Sequence, residues 1–313
     1  MNVAEQRIAL KLGTLLAGDP LMLVEESYAG LKWIDRTLDY MGKVRGEDVL
    51  EAMRIYDEGN ELIGIAVRDK DLPFWLLFTD VIATRIRKEE FEALAGKLNG
   101  AQEREVQVTR EHFLEGVIDF YSRGLVNRLF CDCSVQEESF YPRDRVVALK
   151  GALREFLTGS GIEAVGALNA LEIGCGSGGA TIALHELGIY PLAIDINRCE
   201  ICKGLEEGVL KPEKTVVLDC ALLPSFFGKE FDVVFGFMVG KLTPFERFNW
   251  EKALKAVPKV LKSKGKVFFT VSNEEEAGIL SEILQAEFEA VVKKNEASKG
   301  YFDEWLYIGE LKD

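Results

Sequence analysis

LEIGCGSGGAT, residues 171–181, decides the fold. A short apolar strand runs directly into four glycines and then a helix, which is how a ligand-binding βα turn reads. Glycine serves such a turn twice. It reaches positive φ without strain, and it lets the backbone approach a ligand lying over the strand end. The pattern carries two meanings at once. Gly174, Gly176 and Gly179 satisfy the dinucleotide spacing G-x-G-x-x-G, while Glu172, Gly174, Gly176 and Gly178 satisfy an acidic-x-G-x-G-x-G form.

Outward from this turn, short apolar segments alternate with helices, the signature of parallel βαβ units. Strands are expected at Ala170–Ile173, Pro191–Ile194, Thr215–Leu218, Val233–Phe237 and Lys266–Val271. The tail changes character: Phe288–Lys293 and Trp305–Gly309 read as two more strands joined by a polar link. Upstream, Val146, Leu149, Leu153, Phe156 and Leu157 mark one face of a helix leading into the turn. The fold class is therefore α/β, a Rossmann-like sheet of seven mostly parallel strands closed by a C-terminal antiparallel hairpin, over residues 145–313.

The region before it reads differently. Apolar residues recur at three- and four-residue spacing over Val3–Leu16 and Asp48–Tyr56, so residues 1–110 are expected to form a mainly helical N-terminal domain. Leu62–Val67 and Phe74–Phe78 fit either short strands or buried helix. Residues 111–144 are expected to hold a connecting helix and a lid segment, CDCSVQEESFYPRD.

The acids at the strand ends separate the two glycine readings. Strand two ends in AIDIN, which places Asp195 where its carboxylate can accept from both hydroxyls of a ribose, with Ile196 next to it. Strand three ends in Leu218-Asp219-Cys220, a second acid on the same edge, suited to an adenine amino group. That second acid favours an adenosine ligand without a pyrophosphate.

In this order the residues resemble the class I S-adenosylmethionine-dependent methyltransferases, over roughly residues 145–313. The resemblance implies S-adenosyl-L-methionine as cofactor. It implies that Glu172, Gly174, Cys175, Gly176 and Gly178 hold the methionine and ribose end, and that Asp195, Ile196, Asp219 and Cys220 hold the adenosine. FDVVFGF at 231–237 resembles the family's fourth strand, so Phe237 is placed near the transferred methyl. VPKVLKSKGKVFFTV at 257–271 resembles the helix, turn and fifth strand that follow. The strand-four end, Phe237-Met238-Val239-Gly240-Lys241, departs from the Asn/Asp-Pro-Pro-Tyr form used on amide and amino nitrogens, and no Pro-Cys pair is present.

Catalytic residues are not fixed by this reading. Tyr141, His112 and Lys241 are the candidates, and Phe140 and Tyr141 are candidates to cover the cofactor. His185, on the helix after the glycine turn, reads as structural. Methyl transfer asks mainly for placement, so an acceptor that is a thiol, a carboxylate or a neutral amine needs no dedicated base. Two competing functions stay open: a non-catalytic S-adenosylmethionine-binding regulator or assembly protein, and a nicotinamide-dependent oxidoreductase.

Composition bounds the partners. With 313 residues, 52 acidic against 38 basic side chains and a formal net charge of −14, long-range electrostatics oppose a nucleic acid or an anionic membrane. A small-molecule or protein acceptor is expected. No apolar run approaches the length that crosses a bilayer and the N-terminus lacks a secretory pattern, so a cytoplasmic location is expected. Cys131 and Cys133, with Cys199 and Cys202, form a CxC and a CxxC that in principle offer four thiolates to zinc or an iron–sulfur cluster. The simpler reading is buried thiols, and no metal is expected. Oligomeric state is left open.

Overall fold

The structure is a computed structural model and describes residues 12–16, 19–131, 133, 141–162, 164–240, 242–243, 247–298, 300 and 302–313. It divides into two compact units, Met1–Phe130 and Cys131–Asp313.

The first unit corrects the expectation of a mainly helical region. Its centre is a five-stranded sheet built from β1 (Leu21–Leu23), β2 (Val49–Tyr56), β3 (Leu62–Asp69), β4 (Trp75–Thr79) and β5 (Gln102–Gln107), in the order β1-β4-β3-β2-β5. The two edge strands pair in parallel and the three central ones are antiparallel. The misreading has a local cause. Register shifts near Val49–Glu51 and Ile55–Tyr56 break the two-residue alternation of β2, and the apolar residues that result fall at helical spacing. β4, all five residues buried between its neighbours, gives an unbroken apolar run with no period at all. Helices do cover the sheet: Asp35–Lys43 and Arg85–Ala95 place Met41, Phe91 and Ala95 in a core with Ile65, Val67 and Phe78. Helix Arg110–Val126, assigned from sequence to the connector, belongs to this unit.

The second unit follows the sequence closely. β6 (Ala170–Ile173), β7 (Leu192–Asp195), β8 (Thr215–Val217), β9 (Phe231–Gly236), β10 (Leu261–Val271), β11 (Phe288–Lys294) and β12 (Trp305–Leu311) form one sheet in the order β11-β12-β10-β9-β6-β7-β8. The five strands from β10 to β8 are parallel, and β12 runs antiparallel to both β10 and β11. Helix Arg143–Gly159 buries Val146, Leu149, Leu153, Phe156 and Leu157, as its spacing requires, and packs the Phe156 ring 5.2 Å from that of Phe268. Burying such a ring is worth roughly 2–3 kcal/mol.

Chain order reverses at β6: β7 and β8 lie to one side, β9 and β10 to the other. In open parallel sheets that reversal opens a crevice at the carboxyl ends of the strands. The glycine turn sits there.

Among the described residues no helix is long and apolar enough to cross a membrane.

Candidate cofactor site

β6 delivers the chain into three left-handed glycines, Gly174, Gly176 and Gly178, with φ of +66°, +53° and +89°. An L-residue pays about 1–2 kcal/mol for each such position. The three differ in what surrounds them. A Cβ on Gly174 or Gly176 meets no atom within 4 Å, so the space over the turn is open. A Cβ on Gly178 lies 2.7 Å from Val209 and 2.8 Å from Leu210, so this glycine is set by packing.

The turn is held from several sides. The Cys175 amide donates to the Ile194 carbonyl at 3.1 Å, and the Gly176 amide donates to Asp195 Oδ2 at 2.8 Å. Tyr141 donates its hydroxyl to the Ser177 carbonyl at 2.9 Å, which brings this candidate to the turn with its proton already engaged. Asp195 Oδ1 accepts from the Asn197 amide at 2.7 Å. Each carboxylate oxygen retains a second lone pair, so the two backbone bonds orient Asp195 without exhausting it.

Ile196, next in sequence, is 71% exposed, an apolar side chain standing at the open strand edge. Asp219 is half-buried and accepts from the Ala221 amide at 2.9 Å. Its neighbour Cys220 points its thiol at the Ala253 carbonyl, and burial, with Asp219 nearby, pushes that thiol up to about 12. Burial raises Cys175 well above the ordinary thiol range as well. Both stay protonated at neutral pH and are poor nucleophiles there.

Glu172 is the most unusual group. It is 1% exposed, its Oε2 has no hydrogen-bond partner, and burial pushes its carboxyl up to about 8. The Thr181 hydroxyl and the Arg145 cation draw it down, but Thr181 Oγ1 does not reach hydrogen-bonding geometry. A buried carboxyl left in this state costs about 1–3 kcal/mol, a penalty that a cationic ligand group would remove.

The end of β9 is organised by residues that sequence reasoning did not single out. Met238 adopts φ +52° and donates its amide to Thr270 Oγ1 at 2.8 Å. Thr270 donates in turn to Asp303 Oδ1 at 2.5 Å, and Asp303 receives Arg145 through Nε at 2.7 Å and Nη2 at 3.2 Å. The Asp303 amide closes the circuit on Met238 Sδ, and the Arg145 guanidinium lies over the Phe302 ring. No local motif announces this network, since Arg145 and Asp303 stand 158 residues apart in the chain.

Phe237 is placed differently from its expected role. It is 6% exposed, and its ring stacks on Phe235 and packs against Phe268 inside the core. Polar side chains next to the end of β9 include Thr270, Asp303 and Arg145. Lys241 and Phe140 lie outside the described residues. His112 belongs to the first unit, where its amide donates to the Thr109 cap. His185 lies beside the Tyr190 ring, and burial with help from Lys211 lowers it to about 4.

Residues 171–269 match the family model described as a methyltransferase domain. No curated protein matches the chain. Among solved structures, the PH0226 protein from Pyrococcus horikoshii OT3 is 20% identical, covering 54% of this chain and 91% of its own, with a TM-score of 0.43. The N-methyltransferase NodS from Bradyrhizobium japonicum WM9 is 19% identical, covering 55% and 96%, with a TM-score of 0.41. The magnesium protoporphyrin IX methyltransferase from Synechocystis PCC 6803 is 13% identical, covering 64% and 96%, with a TM-score of 0.40. The family match gives the second unit a methyltransferase domain, and the reversal of strand order at β6 and the acidic glycine turn are similar to those of the class I, S-adenosylmethionine-dependent family.

Proposed function

We propose that this protein is a methyltransferase that moves the methyl group of S-adenosyl-L-methionine to a small molecule or a protein side chain. The observation that carries the reading is Glu172, a buried carboxyl without a hydrogen bond on Oε2, two residues before an open, left-handed glycine turn. A cofactor carrying an ammonium and a sulfonium answers that carboxyl. A dinucleotide pyrophosphate would add negative charge beside Glu172 and Asp195.

The residues present fit the group. Asp195 has lone pairs to spare for the ribose hydroxyls, Asp219 for the adenine amino group, and Ile196 offers an apolar surface to the base. Gly174 and Gly176 leave room above the backbone for the methionine part. When bound, the cofactor supplies a methyl carbon already activated by a positive sulfur, with its own leaving group. The protein's part is to place the acceptor in line and keep water out. Tyr141 and the circuit of Arg145, Asp303, Thr270 and Met238 fix the backbone on which that placement depends.

The scarcity of bases narrows the acceptor. His185 is buried beside Tyr190, and the thiols of Cys175 and Cys220 hold their protons, so a thiol, a carboxylate or an already neutral amine is the acceptor class. The net charge of −14 favours a substrate that is not a polyanion.

Calorimetric titration of the full chain with S-adenosylhomocysteine and, separately, with a nicotinamide dinucleotide tests the cofactor. Saturable binding of the first alone is expected. Binding of the dinucleotide alone would overturn the reading. Incubation with methyl-labelled S-adenosylmethionine and fractionated small-molecule and protein pools tests turnover. Label is expected in one of those pools, and its absence from both would leave a binding protein.

A further inference from the structure

Three of the four cysteines of the CxC and CxxC come together in the second unit. The Sγ atoms of Cys131, Cys133 and Cys199 all lie within 4.8 Å of one another, and Cys202 is buried one helical turn beyond Cys199 on the same helix. The contributors come from two stretches far apart in the chain. Cys131 and Cys133 lie at the entry to the unit, while Cys199 and Cys202 sit on helix Arg198–Glu206, where a three-residue spacing puts both on one face.

We propose that these four cysteines form a zinc site, with Cys131, Cys133, Cys199 and Cys202 as its thiolate ligands.

Three features support it. The first is distance. Sulfurs at the corners of a tetrahedron around zinc, with Zn–S about 2.3 Å, stand roughly 3.8 Å apart. Three sulfurs already within 4.8 Å need only a small contraction, and Cys202, on the same helix face as Cys199, supplies the fourth. An iron–sulfur cluster distributes its ligand sulfurs over several irons and holds them farther apart. The second feature is backbone support: the Cys133 amide donates to Cys131 Sγ at 3.4 Å, which fixes the orientation of that sulfur within the CxC. The third is the gradient of burial. Cys131 and Cys202 are buried, Cys133 is half-buried and Cys199 is exposed, so the cluster is anchored in the unit and open to solvent on one side for the ion to enter. Cys199 also stands in the first turn of its helix, beside the Asn197 cap, where the helix N-terminus favours negative charge.

Binding would exchange four thiol protons for one divalent cation, with the protons released to solvent and a net charge of −2 on the centre. The ion would clip the entry segment to the helix that follows Asp195. None of this depends on methyl transfer.

Cobalt titration of the reduced, chelator-treated full chain is the test. A stoichiometric rise of sulfur-to-cobalt charge-transfer absorption with strong tetrahedral visible bands is expected, and zinc should abolish both. Cys131→Ser and Cys199→Ser should each lose that endpoint, and Cys220→Ser, outside the cluster, should titrate like the parent. Zinc should raise the melting temperature of the parent and of Cys220→Ser, but not of Cys199→Ser, which controls for variants that fold poorly. The proposal is overturned by cobalt spectra without the charge-transfer band, by cysteine variants that titrate like the parent, by stoichiometric iron with acid-labile sulfide in the purified protein, or by a disulfide among these residues with no bound metal.

Discussion

The carboxylate of Asp195 accepts the amide proton of Gly176 at 2.8 Å, so the end of β7 holds the glycine turn that follows β6. This makes Asp195 a brace for the turn, and the proposed function adds the role of ligand acceptor. Asp195→Ala should weaken S-adenosylhomocysteine binding by about 1–3 kcal/mol through lost charge-assisted hydrogen bonds, and should also lower stability by about 1 kcal/mol. Asp195→Asn retains an acceptor and should recover most of the stability while recovering less of the affinity. Titration and chemical unfolding of the two variants separate these effects. Unchanged affinity in the alanine variant would remove Asp195 from the site.

Gly176 and Gly178 share a left-handed backbone but answer to different constraints. Gly176→Ala meets open space, so only backbone strain of about 1–2 kcal/mol is expected in the folded protein. Its methyl nonetheless projects into the volume assigned to the ligand, and affinity should fall much more than stability. Gly178→Ala adds the same strain and drives a Cβ into Val209 and Leu210, so stability should fall by a further 1–3 kcal/mol or so. Thermal melts with and without S-adenosylhomocysteine give both numbers. Equal stability losses for the two variants would refute the packing role of Gly178.

Glu172 gives a pH signature. Its folded carboxyl titrates near 8, above an unfolded value of about 4.3, so the folded state holds a proton that the unfolded state has lost. Stability from this group is complete below about pH 4 and declines as pH rises toward 8. A cationic ligand favours the carboxylate, so binding at pH 7 should release up to about one proton, and apparent affinity should climb with pH until about 8. Calorimetry in buffers of different ionisation enthalpy counts that proton. Glu172→Gln should abolish the release and flatten the climb, and an undiminished release in that variant would assign the proton elsewhere.

How much of this was legible depended on how each element buries its residues. In the second unit, β6 to β12 are short apolar runs separated by turns and helices, and each lies within three residues of the boundaries expected at its N-terminal end except β10, whose polar start, Lys262-Ser263-Lys264, hid five residues. Asp195 ends β7 and Asp219 lies two residues beyond β8, so the sequence already placed both at the carboxyl edge of the sheet, where parallel sheets bind ligands. β2 was not, because its bulges replace alternation with helical spacing. Arg145 and Asp303 were not, because they meet across 158 residues and neither belongs to a local motif. The cysteines were visible as a CxC and a CxxC, but only folding brings Cys131 and Cys133 to Cys199.

The pair formed by Arg145 and Asp303 is the most exposed to mutation. Asp303 is 2% exposed and left-handed at φ +58°, and it receives two bonds from Arg145 and one from Thr270. Asp303→Ala strands a largely buried guanidinium and should cost about 3–5 kcal/mol. Asp303→Asn keeps the shape and an acceptor and should cost less. Urea unfolding of both variants is the check, and a loss below 1 kcal/mol in the alanine variant would show that solvent reaches Arg145.

In the first unit, Asp80 follows β4 with both carboxylate oxygens buried and without hydrogen bonds, and burial pushes it up to about 7. The unfolded acid titrates near 3.9, so between about pH 4 and 7 the folded state carries the extra proton. The sign follows: stability falls as pH rises through that window and levels off above it. Asp80→Asn holds the neutral shape at every pH. It should therefore leave the melting temperature almost unchanged at pH 4 and raise it at pH 8, by a gain on the order of 2–4 kcal/mol in unfolding free energy. Melting curves of parent and variant at the two pH values decide it. A variant that is destabilised at pH 8 would mean that the charged form of Asp80 has a partner.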